Sequence, residues 1–138
     1  RPGVAALIAE ARAAGVRLAI ATTTTPDNVT TLLRTRLAPD APAWFEVIGA
    51  GDVVPDKKPA PDIYLWVLHK LGLPPESCLA IEDSANGLKS AMAARLPTVV
   101  TRSIYTAGHD FTGALSVLPD LGRIRLSDLD LIHQIKNS

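Results

Sequence analysis

The chain has 138 residues, of which 47% are hydrophobic and 20% are charged, so it can form one continuous core and is too apolar for a disordered protein. Its 14 basic and 14 acidic residues balance, which excludes the basic surface of a protein that binds nucleic acid or an anionic membrane. No apolar run approaches the roughly eighteen residues of a membrane span, and the single Cys78 provides neither a disulfide nor a zinc cluster, which favours the cytoplasm.

Helix and strand patterns alternate in the first part of the chain. An apolar stripe predicts a first helix that ends at Gly15, and the short apolar run at residues 16–21 predicts a strand. Four threonines, at positions 22–25, follow that strand. Thr25 fits the N-cap of a second helix and Pro26 fits its first turn.

The rest of the chain continues the alternation. The predicted strands are residues 44–49, 78–82, 98–101 and 115–118. Helical stripes are predicted from Asp62 to a stop at Gly72, from Ala85 onward, and over residues 128–136 with Ser127 as the N-cap.

Strands that alternate with helices in this way are typical of a parallel, doubly wound sheet. We therefore expect an α/β fold of the Rossmann-like type, a mostly parallel sheet with helices on both faces, in one domain that spans residues 1–138. Open α/β sheets bind their ligands at the carboxyl ends of the strands. The chemistry of the chain is therefore expected at that edge.

Polar clusters follow three of the predicted strands: the threonines 22–25, Lys57 with Lys58, and Glu82 with Asp83. Because the carboxyl ends of parallel strands share one edge, a hydroxyl, an ammonium and two carboxylates should converge there. Such a set can bind phosphate oxygens and hold Mg²⁺ through oxygen ligands. Taken singly, each cluster has an ordinary alternative: helix capping for a threonine and for the second acid, and a solvated loop charge for the lysine.

The motifs at these ends resemble those of the haloacid dehalogenase superfamily of phosphatases and phosphomutases. The segment Leu-Ala-Ile-Ala-Thr at 18–22 is similar to its second motif. The resemblance implies that the Thr22 hydroxyl binds phosphate and that Thr23 offers its backbone N–H. The segment Lys-Pro-Ala-Pro-Asp at 58–62 is similar to the third motif, which makes Lys58 the phosphate-binding lysine.

The fourth motif of the superfamily resembles Ile-Glu-Asp-Ser-Ala-Asn-Gly at 81–87. The resemblance implies that Asp83 is the chief acidic ligand of Mg²⁺ and that Glu82 is a second one. It covers about residues 1–118, and the spaced combination of three motifs is highly specific. Thr22 and Lys58 would then be the catalytic residues of this chain.

Within the superfamily, the chain resembles the beta-phosphoglucomutase and phosphoglycolate phosphatase subgroup. Residues 21–29, 51–55 and 111–116 look most like the CbbY-type group, which acts on xylulose 1,5-bisphosphate. The resemblance implies a Mg²⁺-dependent phosphatase for a small sugar phosphate, acting through an aspartyl-phosphate. Two alternatives stay open, namely a phosphomutase on the same scaffold and a non-catalytic module that binds phosphate or a partner.

The nucleophile motif of the superfamily, Asp-x-Asp-x-Thr after a leading strand, is not found in the sequence. Asp128-Leu129-Asp130 matches its letters only in part, and helix capping explains it better. In the superfamily that leading strand lies at the centre of the sheet, and a helical cap domain follows it. We therefore expect the 138 residues to be the larger, C-terminal part of a core domain, inactive and unstable without an N-terminal segment that completes the sheet.

Arg95 is a second departure from the superfamily, which usually has glycine before the next strand. If this position requires a positive φ angle, the arginine costs on the order of 1 kcal/mol. That penalty is local and leaves the predicted site intact.

Overall fold

The computed structural model describes residues 3–103, 106 and 108–137, so residues 1, 2, 104, 105, 107 and 138 of the predicted domain lie outside it. Helices and strands alternate through these ranges as the sequence predicts. The helices are α1 (Val4–Ala13), α2 (Pro26–Arg36), α3 (Asp62–Leu71), α4 (Ala85–Ala93) and α5 (Leu126–Asn137). The strands are β1 (Ala19–Ala21), β2 (Val47–Gly49), β3 (Ala80–Glu82), β4 (Thr98–Thr101) and β5 (Ser116–Leu118). None of the helices in these ranges combines the length and apolar composition that a bilayer crossing requires.

All strand pairs of the described residues are parallel, which confirms the predicted α/β class. β1 pairs with β2, with Ala19 opposite Val47. In a second sheet, β4 lies between β3 and β5, with Val99 opposite Ile81 and Ser116.

Helices cover both faces of the larger sheet. Successive residues of a strand point to opposite faces, so each strand contributes side chains to both. Val99 packs with residues of α1 and α5, including Leu7 and Leu129. Ala80 packs on the other side, with α3 and α4. The members of this second cluster are Val54, Ile63, Tyr64, Leu68, Ala80, Ala91, Ala94 and Leu96.

β1 and β3 are both edge strands in the described ranges, and no strand there pairs with their open sides. Ile81, in the middle of β3, is 40% exposed although its neighbours Ala80 and Glu82 are buried. A central strand of an α/β sheet is normally buried on both faces. The resemblance to the superfamily implies that its leading strand would lie between the strands at residues 16–21 and 78–82, which correspond to these two edge strands.

α5 begins earlier than the sequence predicts, so the assignment of Ser127 as its N-cap is wrong. The Asp128 carboxylate accepts a hydrogen bond from the backbone N–H of Arg125 at 2.9 Å, and Glu10 of α1 accepts one from the N–H of Leu126. These two acids satisfy N–H groups at the start of the helix. The expected capping role of Asp128 is thus confirmed.

Arg95 has a φ angle of 65°, which confirms that this position is left-handed. Its N–H donates to the carbonyl of Met92 and the next N–H, of Leu96, donates to Ala91, both at 2.9 Å. This is the Schellman ending of a helix, in which glycine is usual at the left-handed position. α1 and α3 end in the same way, with Gly15 and Gly72 in that place.

Replacing Arg95 with glycine should therefore raise the free energy of unfolding by about 1 kcal/mol, because the left-handed strain of a non-glycine residue exceeds the entropic cost of glycine. The reverse change, Gly72→Arg, places the same side chain in the same motif and should lower stability by a similar amount. Denaturant unfolding of the intact polypeptide measures both. Equal or lower stability of the Arg95→Gly variant would contradict the interpretation.

Candidate active site

Lys58 links the carboxyl ends of β1 and β3. Its Nζ atom donates to the backbone carbonyl of Ala21 at 3.1 Å and to Oε1 of Glu82 at 2.5 Å. The side chains of Lys58 and Glu82 are only 17% and 7% exposed. Removing water from an ion pair strengthens the attraction between its charges, so this pair fixes the two strand ends relative to each other.

Tyr64 of α3 shares the same carboxylate, a contact that the sequence analysis missed. Its hydroxyl donates to Oε1 of Glu82, and the Lys58 ammonium lies 5.1 Å from the centre of its ring. Burial first, and then the charge of Glu82, raise the pKa of the Tyr64 phenol, which therefore stays protonated and acts as the donor. The available signal was a tyrosine on the buried stripe of a helix, since a buried phenol normally needs a hydrogen-bond partner.

Thr22 follows β1 directly, beside the Ala21 carbonyl that binds Lys58. The backbone N–H of Thr22 donates to Gly49 at 2.9 Å, and its hydroxyl oxygen accepts from the N–H of Thr24 at 3.1 Å. Thr22 is half-buried and Thr23 is exposed. These two hydrogen bonds hold Thr22 at the end of β1, one residue after the carbonyl that binds the Lys58 ammonium.

Two of the predicted roles were helix caps: Thr25 for α2 and, as an alternative to metal binding, Asp83 for α4. Thr25 accepts a hydrogen bond from the N–H of Asn28 at 3.3 Å and caps α2, as predicted. The cap of α4 is Ser84, whose hydroxyl accepts from the N–H of Gly87 at 3.0 Å. The alternative in which Asp83 caps this helix is therefore not what the structure shows.

Glu82 and Asp83 lie at the junction of β3 and α4, and they differ in exposure. Glu82 is 8% exposed and uses Oε1 for two hydrogen bonds, whereas Asp83 is half-buried. Mg²⁺ is usually bound by one or two carboxylates together with water and substrate phosphate, and these two acids fit that donor set. Among the described residues no cluster of three or more His, Cys, Asp or Glu side chains forms a fuller metal site.

His109 reaches the same junction from the loop before β5, and the sequence analysis gave it no role. Its Nδ1 accepts a hydrogen bond from the N–H of Ala85 at 3.1 Å. It thereby satisfies one of the free N–H groups in the first turn of α4. The acceptor nitrogen carries no proton, so the proton of a neutral ring is on Nε2.

Gly87 shows how closely α4 packs on the site. A Cβ atom at this position would overlap the Glu82 carboxylate, which Lys58 and Tyr64 hold in place. Changing a glycine inside a helix to alanine normally stabilises the protein by about 0.5–1 kcal/mol. Here the overlap must displace the carboxylate, so the usual sign should reverse.

The Gly87→Ala variant should accordingly be less stable than the parent by about 1–3 kcal/mol, the usual cost of overpacking. Denaturant unfolding measures the difference. Gly108→Ala is the control, since nothing lies within 4 Å of the added methyl group; a stabilised Gly87→Ala variant would contradict the packing argument.

Comparison with known proteins identifies a family and a set of similar proteins. Residues 1–95 match the family model of haloacid dehalogenase-like hydrolases. The CbbY protein of Rhodobacter capsulatus is 58% identical over 120 residues, which are 87% of this chain and 53% of that protein. The chain spans about half the length of the curated relatives it matches.

Solved structures show the same similarity. The crystal structure of CbbY from Rhodobacter sphaeroides in complex with phosphate superposes with a TM-score of 0.87 at 46% identity, over 94% of this chain and 58% of that one. A mutant of the same protein in complex with xylulose-(1,5)bisphosphate also gives 0.87, at 45% identity and the same coverage.

Proposed function

This chain belongs to the haloacid dehalogenase-like hydrolase family, and from that premise we propose that it forms the core of a Mg²⁺-dependent phosphomonoester hydrolase. The observation that carries the proposal is the Lys58 ammonium, which lies between the carbonyl of Ala21 and the carboxylate of Glu82. This half-buried positive charge binds the carbonyl of the residue before Thr22, at the kind of sheet edge where α/β proteins bind their ligands.

Each predicted residue has a role in this proposal. Thr22 donates its hydroxyl, and Thr23 its backbone N–H, to phosphate oxygens, while Lys58 offsets their charge as it grows during transfer. Asp83 is the chief ligand of Mg²⁺ and Glu82 the second. When bound, the ion would neutralise phosphate charge and orient the phosphoryl group.

The attacking group in this proposal is an aspartate outside the described residues. The open edges of β1 and β3 and the exposed Ile81 favour one further strand between them, which would bring that aspartate to the same edge as Lys58. Attack on phosphorus would form an aspartyl-phosphate, and water would then release inorganic phosphate. Without that aspartate, the described residues could bind a phosphoryl group in the completed sheet but could not attack it.

Similarity to the CbbY structures favours a sugar bisphosphate as the substrate, and xylulose 1,5-bisphosphate as the first compound to assay. The basic and acidic residues of the chain balance, so its charge favours a small substrate over a nucleic acid or a membrane. In this proposal the protein works in the cytoplasm, where it would meet that substrate. A phosphomutase would transfer the phosphoryl group to another sugar hydroxyl without releasing it.

The test is an assay of the intact polypeptide with Mg²⁺ and a panel that contains xylulose 1,5-bisphosphate, sugar monophosphates and phosphoglycolate. We expect release of inorganic phosphate, fastest from the bisphosphate. Isomerised sugar phosphate without release would indicate the mutase. The proposal would be overturned if none of these esters reacted with a polypeptide whose measured mass shows that the upstream segment with the aspartate motif is present.

A further inference from the structure

The Tyr64 hydroxyl is an unusual group at its position. Tyr64 lies on the buried stripe of α3 with Ile63, Val67 and Leu68, and it is 8% exposed. A phenylalanine would fill this place with the same ring and without a polar atom to satisfy. The hydroxyl is therefore not needed for packing, and a buried hydroxyl is costly unless it is hydrogen-bonded.

Within the part of the chain that the structure describes, this hydroxyl has one hydrogen-bond partner, Oε1 of Glu82, which is the oxygen that also binds Lys58. One carboxylate oxygen thus receives a neutral donor and a cationic donor. The two donors reach it from different elements, α3 and the loop before it. Their directions fix the rotation of the carboxylate about its terminal bond.

Sharing one oxygen also affects the lysine. The phenol takes up part of the negative charge at Oε1, so the ammonium is less completely neutralised by Glu82. The ammonium has three N–H donors, and besides Oε1 of Glu82 it binds the carbonyl of Ala21 at 3.1 Å. A carboxylate whose rotation is fixed therefore also fixes the direction in which the ammonium faces the end of β1.

We propose that Tyr64 is a positioning residue, which acts through Glu82 to hold the Lys58 ammonium at the end of β1. This inference rests on the proposed function for its catalytic consequence, since Lys58 is the group that would meet the phosphate. The geometric part, a tyrosine that fixes the position of a lysine, stands on the contacts themselves.

The variant Tyr64→Phe tests the inference, because it removes the hydroxyl and keeps the ring. In the intact polypeptide we expect kcat for phosphate release to fall about tenfold with KM changed less than twofold, since small displacements of a catalytic group reduce the rate of the chemical step. The ammonium resonance of ¹⁵N-labelled Lys58, assigned by its loss in Lys58→Arg, should broaden or disappear as the ion pair loosens.

Thr98→Val is the matched control. Thr98 is 1% exposed, and its hydroxyl donates to the carbonyl of Leu96 at 2.9 Å, away from Lys58. This variant also loses one buried hydroxyl hydrogen bond, so its stability should fall by a similar amount. Its kcat and its Lys58 resonance should match the parent.

The two readouts separate this inference from the proposed function. A Tyr64→Phe variant with parental kcat and an unchanged Lys58 resonance would overturn the positioning role and leave the phosphatase proposal standing. A parent without turnover, whose Lys58 resonance is nevertheless lost in Tyr64→Phe, would overturn the phosphatase proposal and support the positioning role. Equal losses of kcat in Tyr64→Phe and Thr98→Val would mean that the effect is one of stability alone, and would also overturn the positioning role.

Discussion

Replacing Lys58 with methionine in the intact polypeptide should reduce phosphate release at least a hundredfold and lower the free energy of unfolding by about 3 kcal/mol. The first effect follows from the loss of a charge aimed at the developing transition state, where one donor contributes a factor of about 10²–10³. The second follows because Glu82, 8% exposed, would be left buried without its cation. Breaking a buried pair from one side costs about 3–5 kcal/mol, and the 17% exposure of Lys58 favours the low end.

A second substitution separates these two effects. In the double variant Lys58→Met, Glu82→Gln the buried charge is gone, and the Tyr64 hydroxyl can still donate to the amide oxygen. Stability should return to within about 1 kcal/mol of the parent, since removing both partners of a buried pair is often nearly neutral. Activity should stay low, because the ammonium is still missing and the proposed second Mg²⁺ ligand has lost its charge.

Lys57→Met is the matched control, because it changes the neighbouring lysine in the same loop. Lys57 donates to the carbonyl of Gly51 and to Asp52, but its side chain is 40% exposed and that of Asp52 is 99% exposed. Exposed pairs contribute little to stability, so both stability and turnover should stay near the parental values. A Lys58→Met variant that behaved like Lys57→Met would contradict the assigned role of Lys58.

Local sequence signals predicted most of the helices and strands, because the residues that begin or end each of them lie within a few positions of it in the sequence. Glycine at positions 15 and 72 ends α1 and α3, and Thr25 caps α2, as expected. β1 is shorter than the predicted strand at residues 16–21 for a local reason as well. The N–H of Val16 donates to Ala11 and completes the end of α1, so this residue cannot join the strand.

Contacts between distant residues could not be predicted in the same way. The start of α5 depends on Glu10, which lies 116 residues earlier than the N–H of Leu126 that it binds. Tyr64 and Glu82 are 18 residues apart, and only the tertiary fold, in which α3 packs against β1, β2 and α4, brings them together. The sequence could place Lys58 and Glu82 at one edge of a sheet, since strand order follows general rules, but it could not show that Lys58 and Tyr64 share one oxygen of Glu82.

The acid that the proposed function depends on most is Asp83, and Asp83→Asn should reduce Mg²⁺-dependent turnover at least a hundredfold. The substitution keeps the shape of the side chain and removes the charge that binds a hard divalent cation. The N-cap of α4 is retained, because Ser84 and not Asp83 provides it. Asp27→Asn is the control, since Asp27 is likewise an acid at the start of a helix, in the first turn of α2. The turnover of this variant should match that of the parent.

Titration with Mg²⁺ after treatment with a chelator distinguishes a metal role from a general loss of activity. The chelated parent should be inactive and should recover fully when Mg²⁺ is added back. In Asp83→Asn, the Mg²⁺ concentration needed for half of the remaining activity should rise at least tenfold, because one anionic ligand is gone. An Asp83→Asn enzyme whose turnover and Mg²⁺ dependence both stayed within twofold of the parent would exclude Asp83 as the chief ligand, and the magnesium site would have to be sought elsewhere at this sheet edge.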